Sequence, residues 1–442
     1  MVRFQVYLLF LFFYLTQTLS VLGQNSSNLL LEGKKLLQNE LAEEAIVLFE
    51  QFIDANFENP EGYYCMGLAS MKLKEYKKAT ISFAQAIALG KATKEAYFNR
   101  AYAYTLNHDF LKAIRDYDKV IELDPDNDEA YFYRAEIKSN INREKEAIED
   151  YNRAIQLSPN NHEYYYERGL LQSIVGSYES SLADFKKSVT LKPNDYVYYK
   201  IGAIETKYGR DKLAIEYYSK AIEMNPQEVK YYDMRAFSLM RLGEFQRAIE
   251  DLNIAETKDK FDVDLYMERG LAYLSLEKYH DALKDFNKAV ALAPQNSKHF
   301  YHRSRAFFSL EKYELALIDL KKVVELEPDH LDAHLFIGDA YMEMKMYATA
   351  VTSYSVYLEK ESDAYSIFHK RGDAYFANKE YTKAMLDYNQ ALALQPDLGI
   401  VYNMRAQTKF QLNQAQEACA DLILAKENGY SQGYHLLKNN CE

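Results

Sequence analysis

From about residue 26 to 430 the chain alternates apolar segments of helical periodicity with short polar breaks, and its prolines mark those breaks. Pro60, Pro125, Pro159, Pro193, Pro226, Pro294, Pro328 and Pro396 all fall between apolar segments, and several are 34 residues or twice 34 apart. Proline is poorly tolerated inside a helix, so each is expected to follow a helix end. With 34 as the unit, repeats begin at residues 26, 60, 94, 128, 162, 195, 229, 263, 297, 331, 365 and 399, and only the step from 162 to 195 is one short. The eighth place of each repeat is then always small: Gly33, Gly67, Ala101, Ala135, Gly169, Gly202, Ala236, Gly270, Ser304, Gly338, Gly372 and Ala406. The twentieth place is alanine except at Ser181, and the twenty-fourth is always large and apolar or aromatic, from Phe49 to Leu422. Two antiparallel helices approach closely only where both carry small side chains, and a bulky residue one turn away fixes their crossing. One such hairpin cannot bury its own apolar face, whereas stacked neighbours bury a continuous core. The pattern predicts an all-α solenoid of about twelve helical hairpins over residues 24–429, without sheet. The short polar segment 430–442 reads as a capping helix over the last hairpin.

The repeat resembles the tetratricopeptide repeat family. The likeness is carried by the period, the small eighth and twentieth places, recurrent Tyr or Phe at the fourth, seventeenth and twenty-fourth, and the terminal proline. It is fullest in Tyr266-Met267-Glu268-Arg269-Gly270-Leu271-Ala272-Tyr273, followed by Tyr279, Ala282, Phe286, Ala289 and Pro294. The departures are the absence of Trp from the fourth place and of proline near Lys260 and Ser362. The resemblance implies a right-handed αα superhelix that binds proteins or peptides. It also implies that the second, fifth, ninth, twelfth and thirteenth places of the first helix face a concave groove.

Read along the fifth place, that groove carries Tyr64, Phe98, Phe132, Tyr166 and Tyr199, flanked at the second place by Glu61, Glu95, Glu129 and Glu163. Rings edged with carboxylates suit an extended peptide with apolar and basic residues. Stacking on sugar rings is an alternative, and so is simple packing between adjacent helices. Some members of the family hold acidic C-termini with Lys and Asn on successive repeats. Asn99 matches one such position, but Tyr64, Leu68, Glu129 and Tyr133 replace the others, so that clamp is missing.

A second correlation runs through the repeats. Arg100, Arg134, Arg168, Arg235, Arg269, Arg303, Arg371 and Arg405 occupy the seventh place, and the same repeats carry Asp116, Asp150, Asp184, Asp251, Asp285, Asp319, Asp387 and Asp421 at the twenty-third. The four repeats without the arginine lack the aspartate too. A guanidinium–carboxylate fork inside each hairpin, such as Arg100 with Asp116 or Arg269 with Asp285, is the expected chemistry. An arginine ladder for anionic ligands is the alternative, and duplication of one unit would copy both residues together.

Composition changes the picture in three ways. A net charge of −12 without any basic stripe opposes binding to nucleic acid. Met1-Val2-Arg3, the apolar run Tyr7–Leu15 and the small or polar stretch to Gly23 and Gln24 read as a secretory signal over residues 1–23, the alternative being an uncleaved anchor over Phe4–Leu22. No membrane insertion is expected after cleavage, and the protein is expected in the periplasm, on the envelope or outside the cell. Of Cys65, Cys419 and Cys441, the last two are candidates for a disulfide and the first for a small core residue. No phosphate loop, nucleophile elbow or His-Glu-x-x-His motif occurs, and His299 with His302 offers no third ligand, so neither enzyme activity nor a metal or cofactor is expected. The expected function is a non-catalytic interaction scaffold, with a receptor for glycans or small peptides as the alternative.

Overall fold

The computed structural model describes residues 26–258, 260–430 and 441, so the expected signal segment and most of the capping segment lie outside the described residues. The described residues hold 24 helices and no strand. They fall into two compact units, divided between Tyr208 and Gly209. In the first, α1 (26–38) pairs with α2 (Ala42–Ala55), α3 (Pro60–Lys72) with α4 (Tyr76–Ala88), and α5 (Lys94–Leu106) with α6 (Phe110–Leu123). Then α7 (Asp128–Asn140) pairs with α8 (Glu144–Leu157) and α9 (His162–Ile174) with α10 (Tyr178–Leu191), and α11 (Asp195–Lys207) closes the unit. The second opens with α12 (Asp211–Met224) and continues with the pairs α13 (Val229–Arg241) and α14 (Phe245–Lys258), α15 (Val263–Ser275) and α16 (Tyr279–Leu292), and α17 (Ser297–Ser309) and α18 (Tyr313–Leu326). It ends with α19 (Leu331–Glu343) and α20 (Tyr347–Lys360), α21 (Tyr365–Ala377) and α22 (Tyr381–Leu394), and α23 (Gly399–Gln411) and α24 (Ala415–Glu427). Within each unit the substantial contacts join helices adjacent in sequence and next-but-one first helices, the signature of a stacked solenoid.

The small eighth place is explained by the ring at the twenty-fourth. A Cβ added to Gly270 would lie 2.5 Å from the Phe286 ring, and one added to Gly33 or Gly67 would lie 2.6 Å from Phe49 or Phe83. Alanine or serine stands there only where the partner is Leu or Tyr, as in Ala236 with Leu252 and Ala101 with Tyr117. The twentieth-place alanines are fully buried. At the exception, the Ser181 hydroxyl donates to the Gly169 carbonyl at 2.7 Å across the hairpin, so its polar atom is satisfied where a methyl group usually sits.

Caps and turns set the element ends. Most first helices have a side-chain N-cap, for example Asn59, Thr93, Asn127, Asn161 and Asn194, whose oxygens accept from backbone N–H groups of the first turn. The turn inside every repeat places its fifteenth residue at positive φ: Gly176, Gly209 and Gly243 there, but also Glu40, Lys74, Glu277 and Lys345, with φ of 58–65° for these four. One proline departs from the expected pattern. Pro60 is the first residue of α3, where its missing N–H has no partner to lose, whereas Pro125 and Pro159 lie in the breaks.

Candidate functional site

Each of the eight seventh-place arginines turns into its own hairpin and grips the twenty-third-place aspartate with two bonds. Arg100 Nε and Nη2 donate to Asp116 Oδ2 and Oδ1 at 2.6 and 2.7 Å, and Arg269 makes the same pair to Asp285 at 2.8 and 2.8 Å. The fork recurs at Arg134, Arg168, Arg235, Arg303, Arg371 and Arg405. Every guanidinium also lies over the ring at the fourth place of its repeat, from Arg405 at 5.3 Å from the Tyr402 centroid to Arg168 at 5.8 Å from Tyr165. These arginines are not turned outward as a ladder for anions.

A third partner escaped the sequence reading. The free Nη1 donates to the twenty-fifth place of the preceding repeat: Arg134 to Asp118, Arg168 to Asn152, Arg235 to Ser219, Arg269 to Asn253, Arg303 to Asn287, Arg371 to Ser355 and Arg405 to Asn389. The arginine thus fastens one hairpin to the next. The signal was present, since each of these places carries an oxygen-bearing side chain. Arg100 faces Ala84 there and has no such partner. Arg269 gains a fourth, Glu256 at 2.6 Å, and its guanidinium, helped by Lys288, holds the Glu256 carboxyl down at about 2.

The row of fifth-place rings is less open than the sequence suggests. Tyr64, Phe98, Tyr166 and Tyr199 are half-buried, but Phe132 is buried at 5% exposure. Phe132 is therefore corrected from a contact residue to a core residue: Tyr164 of the next hairpin stacks on it at 4.7 Å and 28°, and Tyr151 closes the other side at 5.8 Å. The other rings lean on their own twenty-fourth-place partners, Tyr64 on Phe83 at 5.7 Å, Phe98 on Tyr117 at 5.5 Å and Tyr166 on Phe185 at 6.2 Å. Tyr199 lies 5.8 Å from Tyr196. Tyr64, Phe98, Tyr166 and Tyr199 are thus packing residues that keep part of their surface exposed.

Two further features bear on binding. A cleft of about 590 Å³ opens between α1, α3 and α5, lined by Tyr64, Leu68, Met71 and Tyr102 with Lys34, Lys72 and Asn99 at its edges. Asn99, the one residue matching a clamp position, donates to the Tyr64 hydroxyl at 2.9 Å instead of pointing free. Glu61 is taken by Lys34 at 2.6 Å and Lys91 at 2.7 Å, whereas Glu95, Glu129 and Glu163 are exposed and carry no ion pair. Further along, burial and the nearby Glu167 and Glu163 push the Glu136 carboxyl up to about 7, and burial with Glu163 raises Glu167 as well. None of these three has a cation beside it. Burial pushes the Tyr166 hydroxyl up to about 12. The second unit repeats the device once, where burial, Asp233, Asp264 and Asp262 push Glu268 up to about 7.

Cys419 and Cys441 are joined by a disulfide with Cα atoms 5.7 Å apart, and Cys65 is a buried free thiol that burial pushes up to about 11. His302 is held down to about 4 by burial and the nearby Arg305, and lies 6.2 Å from the Phe286 ring. Among the described residues no three His, Cys, Asp or Glu side chains gather as a metal site. No helix among them is long and apolar enough to cross a membrane.

Family models described as tetratricopeptide repeat match residues 95–127, 116–149, 162–195, 196–228, 263–296, 301–367 and 366–398, and one described as TPR repeat matches residues 142–173. Together they span more than half of the chain. No curated protein matches the sequence. Among solved structures, a tetratricopeptide repeat protein from Parabacteroides merdae is 18% identical, with 56% of this chain and 99% of that one covered and a TM-score of 0.43. The C-terminal part of a TPR repeat-containing protein from Cytophaga hutchinsonii is 21% identical, covering 60% and 95% with a TM-score of 0.42. The Cut9–Hcn1 hetero-tetramer of APC/C gives 15% identity, 94% and 96% coverage and a TM-score of 0.37.

Proposed function

We propose, since this chain belongs to the tetratricopeptide repeat family, that it is a non-catalytic scaffold whose first unit binds an extended polypeptide bearing apolar and basic residues. Repeats of this family generally mediate protein interactions, and the fold alone leaves the partner open. The observation that carries the reading is the uncompensated acid in the first unit: Glu136 and Glu167 are half-buried with no ion pair, and burial together with nearby carboxylates raises the proton affinity of both. Half-buried carboxylates without counter-ions are costly, and a basic side chain entering the groove would relieve that cost. Apolar contact is offered by the half-buried Tyr166 next to Glu167 in sequence, and by Tyr102, Leu68 and Met71 in the cleft of the earlier repeats. We place the protein in the envelope or outside the cell. The apolar run Tyr7–Leu15 behind Arg3 and the Cys419–Cys441 disulfide support that, since disulfides persist in oxidising compartments.

The test is titration calorimetry with two peptides of equal length, one alternating Leu and Arg and one alternating Leu and Glu. The basic peptide should bind, and a Glu136→Gln, Glu167→Gln variant should weaken it at least about tenfold. Binding of neutral oligosaccharides with neither peptide would replace this reading with a glycan receptor.

A further inference from the structure

Four repeats lack the seventh-place arginine, and the structure fills them differently. In the sixth and tenth, a branched apolar residue stands in its place: Ile201 is fully buried and Ile337 is 8% exposed. The preceding twenty-fifth places are Lys186 and Lys321, which bring a positive charge where the arginine's third partner would be. Those positions are closed to a further cation by bulk and by charge.

The second repeat is the opposite case. Its seventh place is Met66, half-buried and unbranched, and its twenty-third is Ser82. The preceding twenty-fifth place is Glu50, exposed and without an ion pair. A pocket of about 410 Å³ lies there, lined by Glu50, Asp54, Tyr63, Met66 and Ser82 with Ile81 at its rim. The two residues that elsewhere hold the arginine from above and from the neighbouring hairpin are both present. Tyr63 is the fourth-place ring, and Glu50 stands where Asp118 accepts from Arg134. The guanidinium is missing, and with it the twenty-third-place aspartate that grips it elsewhere, whose place Ser82 takes.

We propose that this pocket, on the face of the first unit formed by α2 and α4 with the inner side of α3, is a docking socket for an arginine side chain of a partner polypeptide. The occupant would repeat from outside what the eight internal arginines do from within. Its guanidinium would lie over the Tyr63 ring, donate to the Glu50 carboxylate and meet the Ser82 hydroxyl, while its methylene arm replaces water against Met66 and Ile81. A planar cation with several fixed donors matches a ring, a carboxylate and a hydroxyl at once, which an ammonium does less well. Glu50 and Asp54 both favour a cation, so an anionic or neutral occupant is disfavoured. The socket is separate from the concave groove and stands whether or not the groove binds a basic segment.

The experiment uses the full chain with ¹³C-methyl methionine and the probe acetyl-Gly-Arg-Gly-amide, compared with the same peptide carrying citrulline, which keeps the shape and loses the charge. The Met66 methyl signal, assigned by loss in Met66→Leu, should shift saturably with the arginine peptide and not with the citrulline one. Met71 in the concave cleft reports binding on the other face. Glu50→Gln, an exposed substitution that leaves the core untouched, should weaken the Met66 response at least about tenfold, the loss of one charge-assisted bond. The pair Met66→Arg, Ser82→Asp removes the reporter methyl, so it is read by calorimetry: it should install the internal fork, raise the melting temperature and abolish binding of the arginine peptide at this socket. No shift at Met66, an equal shift with citrulline, or an unchanged affinity in Glu50→Gln would overturn the proposal.

Discussion

Arg269 and Arg100 occupy the same place in their repeats and differ in surroundings, which makes them a measure of what the fork contributes. Arg269 is 6% exposed and bonded to Asp285, Asn253 and Glu256, whereas Arg100 has Asp116 and no partner in the preceding repeat. Removing one member of a buried ion pair leaves the other charge unpaired. Arg269→Ala should therefore cost about 3–5 kcal/mol in urea unfolding and Arg100→Ala distinctly less, near 2 kcal/mol. An equal cost at both would show that the neighbouring-repeat bonds contribute nothing. Two glutamates make the pH dependence bend in opposite directions. Glu136 is raised from 4.5 to about 7, so the folded chain binds its proton more tightly, and the stability this gives is present below 4.5 and lost as pH rises through 7. Glu256 is lowered to about 2, so its contribution is present above 4.5 and lost as pH falls towards 2. Glu136→Gln should raise the melting temperature at pH 8 and leave it unchanged at pH 4, read by circular dichroism at both.

At the scale of the element, the hairpin was largely legible because its determinants recur at fixed places. The small eighth place and the bulky twenty-fourth are visible as a pair in the sequence, and the structure supplies the reason, a glycine seated under a ring. The opposite holds for the turn. Its fifteenth residue needs positive φ in every repeat, yet glycine stands there only at Gly176, Gly209 and Gly243, and nine repeats carry another residue such as Glu40, Lys74 or Glu311, so composition hides the requirement. A left-handed conformation costs a non-glycine residue roughly 1 kcal/mol, which stacking of the whole array outweighs. Two substitutions test this balance. Gly270→Ala gains helix propensity but drives a Cβ into Phe286, and overpacking of about 1–3 kcal/mol should win. Adding Phe286→Leu, the pairing found at Ala236 and Leu252, should restore most of the loss, and a purely additive double mutant would deny the lock. Lys345→Gly should in turn stabilise its hairpin by about 0.5–1 kcal/mol.

At the scale of the whole molecule, the candidate site was only half legible. The fifth-place rings are readable as a row, but a row in sequence says nothing of depth, and Phe132 sinks because Tyr164 and Tyr151 cover it from both sides. Glu136 and Glu167 were not singled out either, since a glutamate in a highly charged helical chain reads as a solvated face until burial is known. The binding prediction rests on both groups. A basic segment in the groove of the first unit would lower the Glu136 proton affinity, so binding releases a proton, and affinity should rise from pH 5.5 to 8 as the carboxyl ionises. Added salt should weaken it, as expected for steering by a chain of net charge −12. Tyr166→Ala should weaken the same peptide by about 1–2 kcal/mol through lost contact, with helicity near that of the unmodified chain. Tyr199→Ala, one repeat further on, makes the comparison sharper. If binding follows Tyr166 and pH together, the acid cluster and the ring form one site. If Tyr166→Ala lowers the melting temperature while affinity and its pH dependence stay fixed, the ring belongs to the packing with Phe185 and the contact lies elsewhere along the groove.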